Sequence, residues 1–212
     1  MNEAILFLNG KIDLEFCDRY IQDYLSQLAI YCADGAYIKV KESSVLYSKV
    51  KMAIGDFDSG TNEENDMFLV DNDQETTDFE KCLNYLTSRK VSKIYVFGAS
   101  EGEMDHFLGN ISIAMMYRGR VSIEFVDKHS RYFFIPKQYT INNVYGKMLS
   151  LMPLSYAENV HLKGLEYPLR GENLSIGSRI GIRNYAVNDV VDISYAAGDV
   201  LLFVSHNKYK DR

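Results

Sequence analysis

The sequence predicts an α/β fold in two parts: an N-terminal, mostly parallel sheet flanked by helices over residues 1–127, then a small C-terminal antiparallel β domain over residues 128–212. Three observations predict it. Short apolar runs alternate with segments of helical period through the first part; the helical period then stops; and from there apolar and polar residues alternate in twos between glycines. With 212 residues, 47% of them apolar and 25% charged, the chain has ordinary globular composition and room for two modest cores.

The first predicted strand is Ala4–Leu8, after which Cys17, Tyr20, Ile21, Tyr24, Leu25 and Leu28 keep helical spacing. Strands follow at Ala29–Ala33, Met52–Ile54 and Met67–Val70. Phe79, Cys82, Leu83 and Leu86 mark a second helix, and Thr77 with Glu80 fits a capping box that starts it, placing Asp78 in its first turn. Asp78 and Lys81 lie three apart on the polar face opposite that stripe, the spacing of a surface ion pair. Strands Ile94–Phe97 and Val121–Val126 bracket a further helix that starts near Asp105. In the C-terminal part Val191, Ile193 and Tyr195 alternate with Asp192 and Ser194, and Gly146, Gly164, Gly171, Gly177, Gly181 and Gly198 separate short runs, the pattern of an antiparallel sandwich or barrel.

Several function classes are excluded. The net charge is −6, so the basic footprint of a nucleic-acid binder is absent. The early apolar run is far shorter than a membrane span and no basic segment precedes it, which predicts a cytoplasmic protein without membrane partners. Cys17, Cys32 and Cys82 are odd in number and widely spaced, which argues for core thiols and against a disulfide framework or a zinc site. There is no Walker A pattern. Tryptophan is absent while Tyr numbers 16 and Phe 11, so a flat ligand has to stack on Tyr, Phe or His.

The N-terminal part is distinguished by the residues at the ends of its strands. Asp34-Gly35 follows the second, Gly55-Asp56-Phe57-Asp58-Ser59 the third, Asp71-Asn72-Asp73-Gln74 the fourth, and Gly98 with Asp105-His106 the fifth. In a parallel sheet these positions share the carboxyl edge, where ligands of open α/β folds bind. Carboxylates gathered there repel one another unless a cation offsets them, and a hard ion with oxygen ligands suits them: Mg²⁺ bridging phosphates rather than Zn²⁺. Asp56 and Asp58, two residues apart in an extended stretch, point to the same side. The turn from Gly98 to Gly102 runs into a helix and resembles a phosphate-cradling turn; His106 and Asn110 share one face of that helix beside Asp105.

Five stretches together resemble the thiamine pyrophosphokinases: Ala33-Asp-Gly-Ala36, Ile54-Gly-Asp-Phe-Asp-Ser59, Asp73 to Leu83, Gly98 to Asn110, and Gly164-Leu-Glu-Tyr-Pro-Leu169. The resemblance implies a catalytic α/β domain, a thiamine-binding β-sandwich, and a homodimer holding thiamine between the catalytic domain of one subunit and the sandwich of the other. It implies transfer of the β,γ-pyrophosphoryl group of ATP to the hydroxyethyl oxygen of thiamine, with release of AMP. Carried over by position, Asp56, Asp58, Asp78 and Asp105 organise Mg²⁺ and the phosphates, with Asp58 or Asp78 as base. Lys81 and Gln74 assist near the transferred group. Asp34, Gly35, Gly98, His106 and Asn110 lie on the nucleotide side, and Tyr167, Asn184 and Phe203 on the thiamine side.

The chain departs from the family pattern at Glu101-Gly102-Glu103, where the family usually reads Gly-Gly-Arg, and at Arg183-Asn184, where a Ser-Asn pair contacts the thiamine pyrimidine. Phe203 stands for a late Trp, Tyr167 for a Trp of some members, and Ala36 for a second Gly. Lys81, Arg131, Arg183 or another basic residue then has to compensate for the missing arginine. A thiamine- or nucleotide-binding protein without transfer activity and a two-metal phosphohydrolase are the alternatives: the first would bind thiamine with no thiamine-dependent release of AMP, and the second would release inorganic phosphate without an acceptor.

Overall fold

The computed structural model describes residues 2–57 and 67–209 and divides into two compact units, Met1–Lys128 and His129–Arg212. In the first unit the strands are β1 (Glu3–Phe7), β2 (Ile30–Ala33), β3 (Val50–Gly55), β4 (Phe68–Val70), β5 (Lys93–Phe97) and β6 (Ser122–Val126). They pair in the order β4-β3-β2-β1-β5-β6, every pair parallel. The central strand β1 has Ile5, Leu6 and Phe7 fully buried, as expected where helices cover both faces of a sheet. Because the chain moves outward from β1 to β4 and then returns to the other side at β5, the order reverses between β1 and β5. A crevice opens at such a reversal.

The helices are α1 (Leu14–Tyr24), α2 (Ala36–Lys41), α3 (Ser44–Tyr47), α4 (Asp78–Ser88) and α5 (Met104–Met116). Asp13 caps α1 by accepting from the Phe16 N–H at 3.1 Å, and α1 ends before Leu28, which the helical spacing includes. The α4 capping box is formed: Thr77 Oγ1 accepts from the Glu80 N–H at 3.2 Å and Glu80 Oε2 from the Thr77 N–H at 3.1 Å. Helices α2 and α3 have six and four residues, too few to show a hydrophobic period in sequence. All three cysteines are free and buried; burial, seconded by Asp13 and Asp18, pushes the Cys17 thiol up to about 12. Among the described residues no helix is long and apolar enough to cross a membrane.

The second unit is antiparallel: β7 (Ser130–Phe134), β8 (Gln138–Ile141), β9 (Lys147–Lys163), β10 (Arg170–Ser175), β11 (Gly181–Tyr185), β12 (Val191–Ser194) and β13 (Ala197–Lys208). The 17-residue β9 carries β13 and β12 along one edge and β11 and β10 along the other. It bends where Ser155 and Asn159 adopt positive φ of 72° and 52°, which lets one strand serve both ends of the unit. Leu149, Leu151, Val160 and Leu162 of β9 join Val191, Ile193, Leu202 and Val204 in one apolar core.

Candidate active site

A cleft of about 990 Å³ lies in the first unit, walled by the loops after β1, β3, β4 and β5 and by the starts of α4 and α5. Its site residues are set by local turns. Asp71 Oδ1 accepts from the Asp73 N–H at 3.1 Å; Asp73 in turn accepts from the Glu75 N–H at 2.9 Å and the Thr76 hydroxyl at 2.8 Å. Those bonds, the Glu75 amide first, hold the Asp73 carboxyl below its usual range. The turn they build presents Gln74, whose Nε2 donates to Asp56 Oδ2 at 3.3 Å, and leads into the Thr77 cap.

Asp78 and Lys81 do not form the surface pair that their spacing suggests. The Lys81 side chain is 3% exposed and its ammonium stands 3.4 Å from Asp78 Oδ1 on the cleft wall. The lysine stem is buried while its head reaches the carboxylate. Burial pushes the Asp78 carboxyl up, the charges of Asp34 and Asp56 add to the rise, and Lys81 opposes it. Asp34, Asp56 and Asp78 therefore share one electrostatic neighbourhood. Asp58 lies outside the described residues.

Asp34 and Gly35 are not on the cleft lining. Asp34, at φ 39°, accepts from the Phe57 N–H at 3.2 Å and so braces the turn that carries Asp56. Gly55 has to be glycine for this approach: a Cβ there would sit 2.8 Å from the Asp34 Cβ. Gly35 is the N-cap position of α2.

On the opposite wall Gly98, Glu101 and Gly102 take positive φ of 69°, 66° and 105°. The Gly10 N–H donates to Gly98 O at 3.0 Å, and a Cβ on either glycine would strike backbone oxygen, so the β1 and β5 loops meet at the crossover as bare backbone. Asp105 and His106 open α5 on the lining, and Asn110 Nδ2 donates to Ala99 O at 3.2 Å, which fastens that helix to the turn. Glu101 bridges Lys11 at 3.1 Å and Lys128 at 3.3 Å, and these cations, Lys11 foremost, hold its carboxyl below the usual range. Exposed Glu103 faces His106 at 3.6 Å. The cleft also contains Asn9, Lys11 and Lys39, which sequence reasoning misses because it tracks acids at strand ends and the acid of the β1 loop, Asp13, comes only at the α1 cap; Gly10-Lys11 soon after the central strand is the available signal.

The proposed thiamine residues belong to the second unit. Tyr167 is 65% exposed and meets Tyr185 edge-on at 6.4 Å, while Phe203 stacks on Tyr132 at 4.9 Å. Asn184, expected as a pyrimidine contact, is 6% exposed and committed to backbone. Its Oδ1 accepts from the Tyr167 and Tyr185 N–H groups, each at 3.0 Å, and its Nδ2 donates to Tyr167 O at 2.7 Å. It holds the Tyr167 loop. Arg183, at φ 56°, occupies the bulge between Gly181 and Asn184, its N–H on Ser150 Oγ at 2.9 Å.

Among the described residues no three His, Cys, Asp or Glu side chains form a ready metal cage. The donors present at Asp56, Asp78 and Asp105 are nonetheless hard carboxylate oxygens, and the mutual repulsion felt by Asp78 is what a hard divalent cation offsets.

Two family models cover most of this architecture: "Thiamin pyrophosphokinase, catalytic domain" matches residues 21–125 and "Thiamin pyrophosphokinase, vitamin B1 binding domain" matches residues 135–200. A thiamine pyrophosphokinase of Bacillus subtilis (strain 168) is 30% identical over 72% of this chain and 77% of its own length. The chain belongs to the thiamine pyrophosphokinase family. Thiamine pyrophosphokinase 1 of Oryza sativa subsp. japonica is 28% identical over 58% of this chain, which spans half of that relative. The likeness in fold covers 96% of the chain. A crystal structure of the Bacillus subtilis thiamine pyrophosphokinase superposes with a TM-score of 0.82 at 21% identity, covering 96% of this chain and 99% of that one. The yeast thiamin pyrophosphokinase superposes with 0.81 at 19%, covering 96% and 86%.

Proposed function

We propose that this member of the thiamine pyrophosphokinase family transfers the β,γ-pyrophosphoryl group of ATP to the hydroxyethyl oxygen of thiamine, yielding thiamine diphosphate and AMP. The observation that carries the reading is the meeting of Asp56, Gln74, Asp78 and Lys81 on one cleft wall, in a chain whose relatives are named for this activity.

In this reading residues 1–127 bind ATP and residues 128–212 bind thiamine. Asp56, Asp78 and Asp105, together with Asp58, hold Mg²⁺, which when bound offsets charge on the phosphates. Asp78 takes the proton of the thiamine hydroxyl as its oxygen attacks the β-phosphorus and the bond to the α-phosphate bridging oxygen breaks, so AMP leaves. Burial and neighbouring acids push the Asp78 carboxyl up, the direction that makes a carboxylate a stronger base, and Lys81 opposes the rise. Gln74 fixes Asp56 through its amide, while Gly98, His106 and Asn110 line the nucleotide side. Asp34 and Gly35 support that side from behind the wall. Catalysis is then chiefly positioning and electrostatics. Tyr167 and Phe203 offer aromatic faces to thiamine, and Asn184 acts by holding Tyr167 in place. The protein works as a cytoplasmic homodimer.

The test supplies ATP, Mg²⁺ and thiamine and follows AMP and thiamine diphosphate, which should appear one for one. Thiamine binding by calorimetry without AMP release would turn the reading into a binding protein, and inorganic phosphate released without an acceptor into a phosphohydrolase. Chelation of divalent ions should abolish turnover, sedimentation should give twice the chain mass, and Arg183→Ser should change the KM for thiamine more than that for ATP.

A further inference from the structure

The cleft is strongly acidic: Asp56, Asp73, Asp78, Glu101, Glu103 and Asp105 all line it. Four lining side chains can carry positive charge, namely Lys11, Lys39, Lys81 and His106. Three of them already face carboxylates: Lys11 meets Glu101 at 3.1 Å, Lys81 meets Asp78 at 3.4 Å and His106 meets Glu103 at 3.6 Å. Lys39 differs. Its ammonium donates to Asn9 O at 2.7 Å and Gly10 O at 2.9 Å, and among the described residues no carboxylate pairs with it. Burial pushes its amine down, with no neighbouring acid to restore it.

An ammonium has three donors, so two consecutive carbonyls leave one N–H and the whole charge unmatched. The group sits where this matters. The two carbonyls belong to the loop after β1, and that loop's Gly10 N–H is the one fastened to Gly98 O across the reversal of strand order. Ligands of open parallel sheets bind at this point, and an anionic ligand entering an acidic cleft needs a cation that is not already neutralised.

We propose that Lys39 is the phosphate-contacting cation of the cleft: its remaining N–H and its charge meet a β- or γ-phosphate oxygen of the nucleotide, while its other two donors hold the β1 loop in place. This rests on the proposed use of ATP. The test measures binding of Mg²⁺ with a non-hydrolysable ATP analogue, and separately of AMP, to the full chain by calorimetry. Lys39→Met, which keeps the stem and removes the charge, should weaken the analogue by roughly tenfold to a hundredfold, as expected for a charged hydrogen bond, and change AMP by less than about threefold. Lys39→Arg should retain analogue binding to within about fivefold. Should the Met variant not fold, Lys39→Gln is measured in its place, with the same expectation.

Unchanged analogue affinity would overturn the proposal. So would equal losses for the analogue and AMP, which would make Lys39 a loop fastener only, and so would a wild-type chain that binds no analogue. Lys39-dependent analogue binding in a chain that releases no thiamine-dependent AMP would uphold the phosphate contact and sink the transferase reading instead.

Discussion

Asp105 in the parallel unit and Asn184 in the antiparallel unit both have the look of ligand contacts in sequence, and the fold uses them in opposite ways. Asp105 is exposed on the cleft and accepts one hydrogen bond, from the His106 N–H at 3.0 Å, leaving most of its acceptor capacity for a ligand. Asn184 is buried with three bonds to backbone. The first unit offers its polar groups at strand ends, where the sheet stops and side chains face open space. The second closes around its core, so a polar side chain on a strand serves architecture first.

Two glycines put that contrast to its hardest test. Gly98 (φ 69°) and Gly198 (φ 85°) both have left-handed backbone, and a Cβ on either would strike a backbone oxygen, of Leu8 and of Tyr156 respectively. Strain and overpacking together make Gly98→Ala and Gly198→Ala each cost roughly 3 kcal/mol or more. Denaturant titration should find both losses. They should part in turnover per folded molecule: Gly98→Ala displaces the cleft's own turn and loses activity, while Gly198→Ala retains the turnover of the wild type. Equal turnover in the two variants would remove the β1–β5 contact from the site.

The next largest effect is confined to the cleft. Asp56→Asn and Asp105→Asn should each lower turnover by at least roughly 10², the scale of several kcal/mol of charge stabilisation around a metal ion. Asp105→Asn should leave the melting temperature where it is, since the carboxylate holds only one exposed amide. Near-wild-type rates in either variant would mean the acidic rim is misassigned.

Asn184→Ala probes the other unit. Removing the amide strands the Tyr167 N–H and C=O, and the loss should be roughly 2–3 kcal/mol of stability. The KM for thiamine should rise with it while that for ATP stays, because Asn184 holds the Tyr167 loop. A variant of unchanged stability would show that Asn184 was available to a ligand after all.

The same contrast explains which parts of the fold and site are legible in the sequence. Strand ends are marked by a change from apolar to polar residues, so the order of residues alone assigns the acids at Asp56, Asp73 and Asp105 to one edge. The capping box fixes the start of α4 because both of its partners lie within one turn. Hydrogen-bond occupancy is a tertiary property: nothing around Asn184 in sequence shows that Tyr167 will take its donor and acceptor. Lys81 is a related case. Helical spacing puts it on the polar face, yet its side chain is buried on the cleft wall, and the periodicity of one helix carries no information about what packs over it. Lys39 escapes because α2 is too short to show a face.

Lys81→Met should therefore act through Asp78 rather than through packing, since the stem is conserved in volume. Lys81 is the group that opposes the rise of the Asp78 carboxyl, so its removal lets that carboxyl titrate at higher pH. If ionised Asp78 is the base, the acid limb of the rate profile moves to higher pH in the variant, and activity lost near neutrality returns in part under alkaline conditions. A profile lowered evenly at all pH values would assign Lys81 a direct role on the phosphates instead.

The smallest effect is expected at Glu103, where the family's arginine is missing. Glu103 and His106 are 77% and 74% exposed at 3.6 Å, a geometry worth less than about 0.5 kcal/mol once water screens it. Glu103→Ala should leave the melting temperature unchanged, and it should lower the KM for ATP by no more than about threefold, because an exposed negative charge at the cleft mouth repels a nucleotide only weakly at physiological salt. Glu101 offers the control within the same turn. It bridges Lys11 and Lys128, so Glu101→Ala frees two cations and should alter ATP affinity more than Glu103→Ala does. A larger response at Glu103 would mean that the departure from Gly-Gly-Arg reaches the bound phosphates, and that the cleft relies on more than Lys39 to overcome it.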